Sequence, residues 1–176
     1  MQTVIRLIKS LLLPKIKAPE ITIYQDSMKK ITDYRRLLGV TEKASLQDLK
    51  STYRNFMKEW HPDKFNGNEV ALKEAEEKSK TFIEAYHFLV SIAPETREQT
   101  QAEYEETILK STILDYEFKG QVLIVKFSDG NTYEYFDVPR PIYVKLVNSD
   151  SPGRFARRHI FTSYIYRSTS KITANS

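Results

Sequence analysis

Apolar residues recur along this chain with two different periods, and the change falls near residue 110. Leu46, Leu49, Tyr53, Phe56 and Trp60 are spaced by three and four, the mark of a helix with one buried face. Ser45 stands where an N-cap belongs, and Asp48 follows in the positive first turn. Pro62 ends this helix, because the residue before a proline is pushed out of the α region. Ala75, Phe82, Tyr86 and Leu89 predict a second helix from about Glu69 to Val90. A short helix is expected at Asp33–Leu38, stopped by Gly39. Another is expected from about Pro94 to Leu109, with Pro94 at its first position and Glu95 and Glu98 in its first turn.

Beyond residue 110 the period drops to two. Leu114, Tyr116 and Phe118 alternate with Asp115 and Glu117; Leu123, Val125 and Phe127 alternate with Ile124 and Lys126; Tyr133 and Tyr135 flank Glu134. Lys119-Gly120 and Ser128-Asp129-Gly130-Asn131 lie between these runs as hairpin turns, so a three-stranded antiparallel meander is predicted. Pro139-Arg-Pro141 then opens a helix carrying Ile142 and Leu146, followed by a mixed tail. At the other end, Val4, Ile5, Ile8, Leu11 and Leu12 share a helical face opposite Gln2, Arg6 and Lys9. Such a segment packs on the protein, lies on a membrane surface, or belongs to a cleaved leader; Arg6 and Lys9 interrupt the apolar run a leader needs.

Composition adds limits. Hydrophobic residues make up 40% and charged residues 28% of 176 residues, as in an ordinary globular protein. With no cysteine there are no disulfides, thiolate zinc sites or thiol catalysis, and a reducing, cytoplasmic setting is expected. The net charge of +4 divides as +2 over residues 1–27, −2 over 28–107 and +4 over 108–176, so the C-terminal third is basic.

Candidate chemistry centres on Trp60-His61-Pro62-Asp63-Lys64, at the end of the first long helix. Lys50, Arg54 and Lys58 lie at i, i+4 and i+8, one basic stripe that steers association with an acidic partner. Asp63 is a carboxylate able to accept a bidentate arginine, and Pro62 stiffens the loop. His61 and Asp63 lack a third metal ligand, and His87 and His159 have no partner motif. No nucleophile or acid/base constellation stands out, so neither enzyme activity nor a cofactor is expected.

In order, Asp33-Tyr34, Leu38-Gly39, the basic helix, His61-Pro62-Asp63 and Phe82-Ile83-Glu84-Ala85-Tyr86 closely resemble the J-domain family over about residues 33–90. The resemblance implies an antiparallel helical hairpin with His61-Pro62-Asp63 at its tip. It also implies docking on a DnaK-type chaperone, whose ATP hydrolysis is stimulated; Lys50, Tyr53, Arg54 and Lys58 would line the docking face. Asn55 and Glu59 depart from the family's basic helix, and the last helix lacks its Gln-Lys-Arg run.

Residues 111–168 resemble a KTSC domain through Ser111-Thr112-Ile113, Tyr116, Tyr133-Glu134-Tyr135, Val138-Pro139, Ile142-Tyr143, Ser151-Pro152-Gly153-Arg154-Phe155 and Ile160…Tyr164. The family's occurrence in some lysyl-tRNA synthetases suggests RNA. Tyr133 and Tyr135 share a strand face that either stacks bases or forms core, and Arg154, Arg157, Arg158 and His159 cluster where phosphates could bind. The expected organisation is α+β: an amphipathic helix (1–13), a linker (14–30), an all-α J-domain hairpin with an extra C-terminal helix (31–107), a small α+β KTSC-like domain (108–168) and a disordered tail (169–176). The expected function is a co-chaperone directed to an unidentified client by its C-terminal module. The alternative is an RNA-associated protein whose J-domain recruits a chaperone. Residues 1–13 add a possible peripheral membrane contact.

Overall fold

The computed structural model describes residues 26–169, with side chains described from residue 30 onward. The amphipathic segment 1–13 lies outside the described residues, as does the tail beyond Thr169. The first described helix, α1 (Asp26–Leu38), begins inside the stretch read as linker, seven residues before the expected Asp33. It closes as expected at Gly39, whose φ of 64° a side chain would resist. Gly39 N–H donates to Arg36 O at 3.1 Å and Val40 N–H to Arg35 O at 2.9 Å, a Schellman closure.

Helix α2 (Leu46–Trp60) opens on a reciprocal capping box: Ser45 Oγ accepts from Asp48 N–H at 3.1 Å, and Asp48 Oδ2 accepts from Ser45 N–H at 3.0 Å. The Ser45 hydroxyl, which donates to Asp48 Oδ2 at 2.7 Å, and then the Ser45 N–H hold the Asp48 carboxyl below the usual aspartate range. A 3-10 turn (Pro62–Phe65) follows, and then the long helix α3 (Glu69–Ile92), capped by Asn68 Oδ1. Phe56 stacks on Phe82 with centroids 4.1 Å apart and Tyr53 on Tyr86 at 4.4 Å, so α2 and α3 form the expected hairpin. Helix α1 packs alongside α3: Tyr34 meets Phe88 edge-on, and both Tyr34 and Lys30 donate to the Glu84 carboxylate. The buried face of this part comprises Ile31, Leu38, Leu49, Phe82, Ala85, Phe88, Leu89 and Ile92. Each large side chain so buried contributes about 1.5–3 kcal/mol.

Helix α4 (Pro94–Lys110) appears where periodicity placed it, but its buried residues serve a different core. Tyr104, Thr107 and Ile108 turn away from the hairpin and toward the sheet. The C-terminal half of α4 thus faces the sheet, while at its start Glu95 accepts from Leu46 N–H of α2 at 3.1 Å and Thr96 donates to Val90 O of α3 at 2.7 Å.

That sheet has four strands, not three, in the order β1 (Ile113–Lys119), β2 (Val122–Phe127), β3 (Thr132–Tyr135), β4 (Tyr166–Ser168), each antiparallel to its neighbour. The extra strand returns after α5 (Arg140–Val147) and α6 (Pro152–His159), and α6 is a helix the pattern did not predict. The β1–β2 turn places both Gly120 and Gln121 at positive φ, 53° and 65°, which matches strand twist. Leu123, Val125, Phe127, Tyr133 and Tyr135 line one face and pack on Tyr104 and Ile108 of α4, Leu146 of α5 and Ala156 of α6. Leu114 breaks the expected alternation: a register shift between Ile113 and Asp115 turns it outward, 69% exposed.

The opposite sheet face meets the helical hairpin. Val122, Phe136 and Ile165 join the hairpin's core, with Phe136 edge-on to Phe88 at 5.5 Å. Arg167 sits opposite Glu134 in the β3–β4 ladder and pairs with it at 2.7 Å, while its guanidinium lies 4.9 Å from the Phe88 ring. Both charged side chains are about one-fifth exposed, so the pair is largely desolvated and held at the joint.

Candidate functional site

The tip of the hairpin is built from the end of α2. Pro62 forces His61 to an extended conformation, φ −66° and ψ 127°, and the chain leaves the helix there. His61 Nδ1 accepts from Asp63 N–H at 3.3 Å, and His61 O accepts from Lys64 N–H at 3.0 Å. Nδ1 also lies 3.4 Å from Asp63 Oδ2. One nitrogen cannot accept from the backbone and donate to the carboxylate together. The backbone bond is the shorter and closes the turn, so in it Nδ1 is the acceptor and Nε2 is the ring nitrogen left to donate. The Asp63 side chain is 83% exposed and free to accept from a partner.

This loop is fastened to α3 from below. Ser79 Oγ donates to Trp60 O at 2.6 Å, Lys78 Nζ sits 3.4 Å over the Trp60 ring, and Phe65, at the end of the turn, stacks on Trp60 at 5.9 Å. Sequence reasoning missed Ser79 and Lys78. Ser79 did leave a signal: it is a polar residue in step with Ala75, Phe82 and Ala85, and a buried hydroxyl requires a partner.

Lys50, Arg54 and Lys58 are exposed along α2, and none has an ion-pair partner among the described residues. Asn55 and Glu59 are exposed beside them. Tyr53 is half-buried by its stacking on Tyr86, so it presents an edge to the surface.

The residues of the second candidate cluster are divided between core and surface. Tyr133 is 3% exposed and Tyr135 0%, both inside the sheet–helix core, so neither can stack on a base. Burial pushes the Tyr133 phenol up to about 12 and the Tyr135 phenol well above its ordinary value. Tyr104 donates to Phe161 O at 2.6 Å within the same cluster. Arg154, Arg157 and Arg158 are exposed on α6, and Arg157 Nη1 donates to Ile108 O at 3.3 Å. Among the described residues no cluster of His, Asp and Glu could hold a metal ion, and no helix is long and apolar enough to cross a membrane.

Comparison with known families agrees with the two-part architecture. The DnaJ domain model matches residues 33–101, and the KTSC domain model matches residues 110–164. Curated relatives match over the helical part alone. The protein named "Chaperone protein DnaJ" of Thermosipho africanus is 44% identical over 57 residues, covering 32% of this chain and 14% of that protein. Its counterpart in Fusobacterium nucleatum subsp. polymorphum is 47% identical over 58 residues, covering 32% and 15%. The counterpart in Thermoplasma volcanium is 46% identical over 57 residues, again covering 32% and 15%. The chain thus spans a small fraction of the length of these relatives.

Proposed function

Because the chain carries a DnaJ domain followed by a KTSC domain, and so has co-chaperone character, we propose that it stimulates ATP hydrolysis by a DnaK-type chaperone and delivers a client to it. The supporting observation is the His61-Pro62-Asp63 loop, displayed at the tip of the hairpin and fastened to α3 through Trp60. It stands at the end of a basic stripe, Lys50, Arg54 and Lys58, which among the described residues has no ion pairs to compete with an acidic partner. Asp63 accepts a charged donor from the chaperone, Nε2 of His61 donates, and Pro62 keeps the loop ordered before contact.

In this reading the protein is not itself an enzyme and works in the cytoplasm. The KTSC domain selects the client. A reading in which that domain binds RNA retains the arginines of α6 but loses Tyr133 and Tyr135, which are core. The test is single-turnover ATP hydrolysis by a DnaK-type chaperone of the same cell. Hydrolysis accelerates with this protein, and His61→Gln abolishes the effect; no acceleration by any such chaperone refutes the proposal.

A further inference from the structure

We propose that a groove on the KTSC domain, between the α4–β1 junction and the start of α6, binds the carboxylate end of an extended apolar polypeptide. This rests on the co-chaperone reading and gives the client a place and a chemistry. The groove is open and has a volume of about 440 Å³.

Its apolar part is unusual for a surface. Leu109 and Leu114, 67% and 69% exposed, share the groove with Ile113 and Pro152. Single exposed leucines are ordinary, but Leu114 is aimed outward by a bulge, and bulges re-aim side chains near sites. Leu114 also lies on β1, an edge strand of the sheet, where an extended chain can run alongside.

Its polar part selects an anion. Arg157 lines the groove, no aspartate or glutamate does, and no carboxylate pairs with Arg157 among the described residues. One guanidinium nitrogen is spent on Ile108 O at 3.3 Å, which fixes the side chain; the remaining N–H groups form the fork that suits a carboxylate. Ser151 makes no side-chain bond to the start of α6, so its hydroxyl is available at the same end. A nucleic acid fits less well. The leucines offer no stacking surface, and Tyr116, the ring in the groove, meets Tyr143 edge-on.

The experiment uses the full chain and fluorescence anisotropy. The probe is a fluorescein-labelled short peptide of leucine, valine and alanine with a free C-terminal carboxylate, compared with its C-terminal amide. The free acid should bind about tenfold more tightly than the amide, the difference expected of one charge-assisted pair. Leu114→Ser and Arg157→Gln should each weaken the free acid about fivefold, with Arg157→Lys recovering part of the loss. Leu114 is largely exposed, so its variant keeps the fold, and circular dichroism checks this. Equal binding of acid and amide overturns the proposal, as does indifference to both substitutions. So does an oligouridylate that binds with the same dependence on Leu114 and Arg157 when the peptide does not bind. Peptide binding seen only after removal of residues 1–13 also overturns it, since the occupant would then be the chain's own segment. The two readings fail separately: peptide binding by the His61→Gln protein reports on the groove, and ATPase stimulation reports on the loop.

Discussion

Removing one hydroxyl beneath the His61-Pro62-Asp63 loop tests whether the loop acts as a fixed device. Ser79 is 4% exposed, and its Oγ donates to Trp60 O at 2.6 Å, one residue before His61. Ser79→Ala removes a neutral hydrogen bond of net worth about 1 kcal/mol and leaves a partly buried carbonyl without its donor, at about 1–3 kcal/mol. Lys78 over the Trp60 ring and the Trp60–Phe65 stack remain, so the loop loosens without detaching. If about 1 kcal/mol of that loss falls on ordering the loop, the concentration of this protein giving half-maximal stimulation rises about fivefold. The assay is single-turnover ATP hydrolysis by a DnaK-type chaperone, titrated with the variant, beside a thermal unfolding curve. The plateau rate should be kept, because His61 and Asp63 are intact. A lowered melting temperature with an unchanged half-maximal concentration refutes the reasoning, since the loop would then need no fastening. A lost plateau also refutes it, since Ser79 would then matter to more than placement.

Other outcomes follow from the same structure. Arg54→Glu reverses the centre of an unpaired stripe and should slow association with the chaperone at low salt, the gap from the native protein narrowing as salt is added; rapid-mixing kinetics would show it. Phe136→Ala empties the joint against Phe88 and Arg167, and should cost about 3–5 kcal/mol and split one thermal transition into two, readable by calorimetry. Burial raises the Asp129 carboxyl, but bonds from Thr107, Asn131 and Ser111 outweigh it and leave it below the usual aspartate range. A lowered folded value means stabilisation present in full above the ordinary aspartate pKa and lost as pH falls through the folded one. The stability difference between native protein and Asp129→Ala, by urea denaturation, should therefore shrink between about pH 5 and about pH 2.

What was legible in the sequence was what repeats over three or more turns or three or more alternations. The faces of α2 and α3 are strongly periodic, and local chemistry marks element ends: Ser45 and Pro62 bound α2, and Gly39 closes α1. Helix α6 spans eight residues and buries only Ala156, too little to show a period. Strand β4 has three residues and exists because β3 offers it a partner, a relation between positions more than thirty apart. Which core a helix face serves is also not written in its period: Tyr104, Thr107 and Ile108 recur properly, and only packing assigns them to the sheet. The tyrosines illustrate the same limit, since alternation shows that Tyr133 and Tyr135 share a face but not what covers it. One clue to the joint was present. Tyr135 and Phe136 are consecutive large aromatics at the end of β3, and extended backbone sends consecutive side chains to opposite faces.

The joint at Phe88, Phe136 and Arg167 has a geometric consequence for the proposed function. A pliable tether presents what it carries over a cloud of positions, at an effective concentration set by tether length. Here α3 is a strut. From Glu69, beside the tip, to Phe88, at the joint, it runs 19 residues, about 28 Å at the helical rise. Anything gripped by the C-terminal domain would face a docked chaperone at one standoff and one heading. Under the proposed function, reach is traded for aim, and a client would have to fit that one approach.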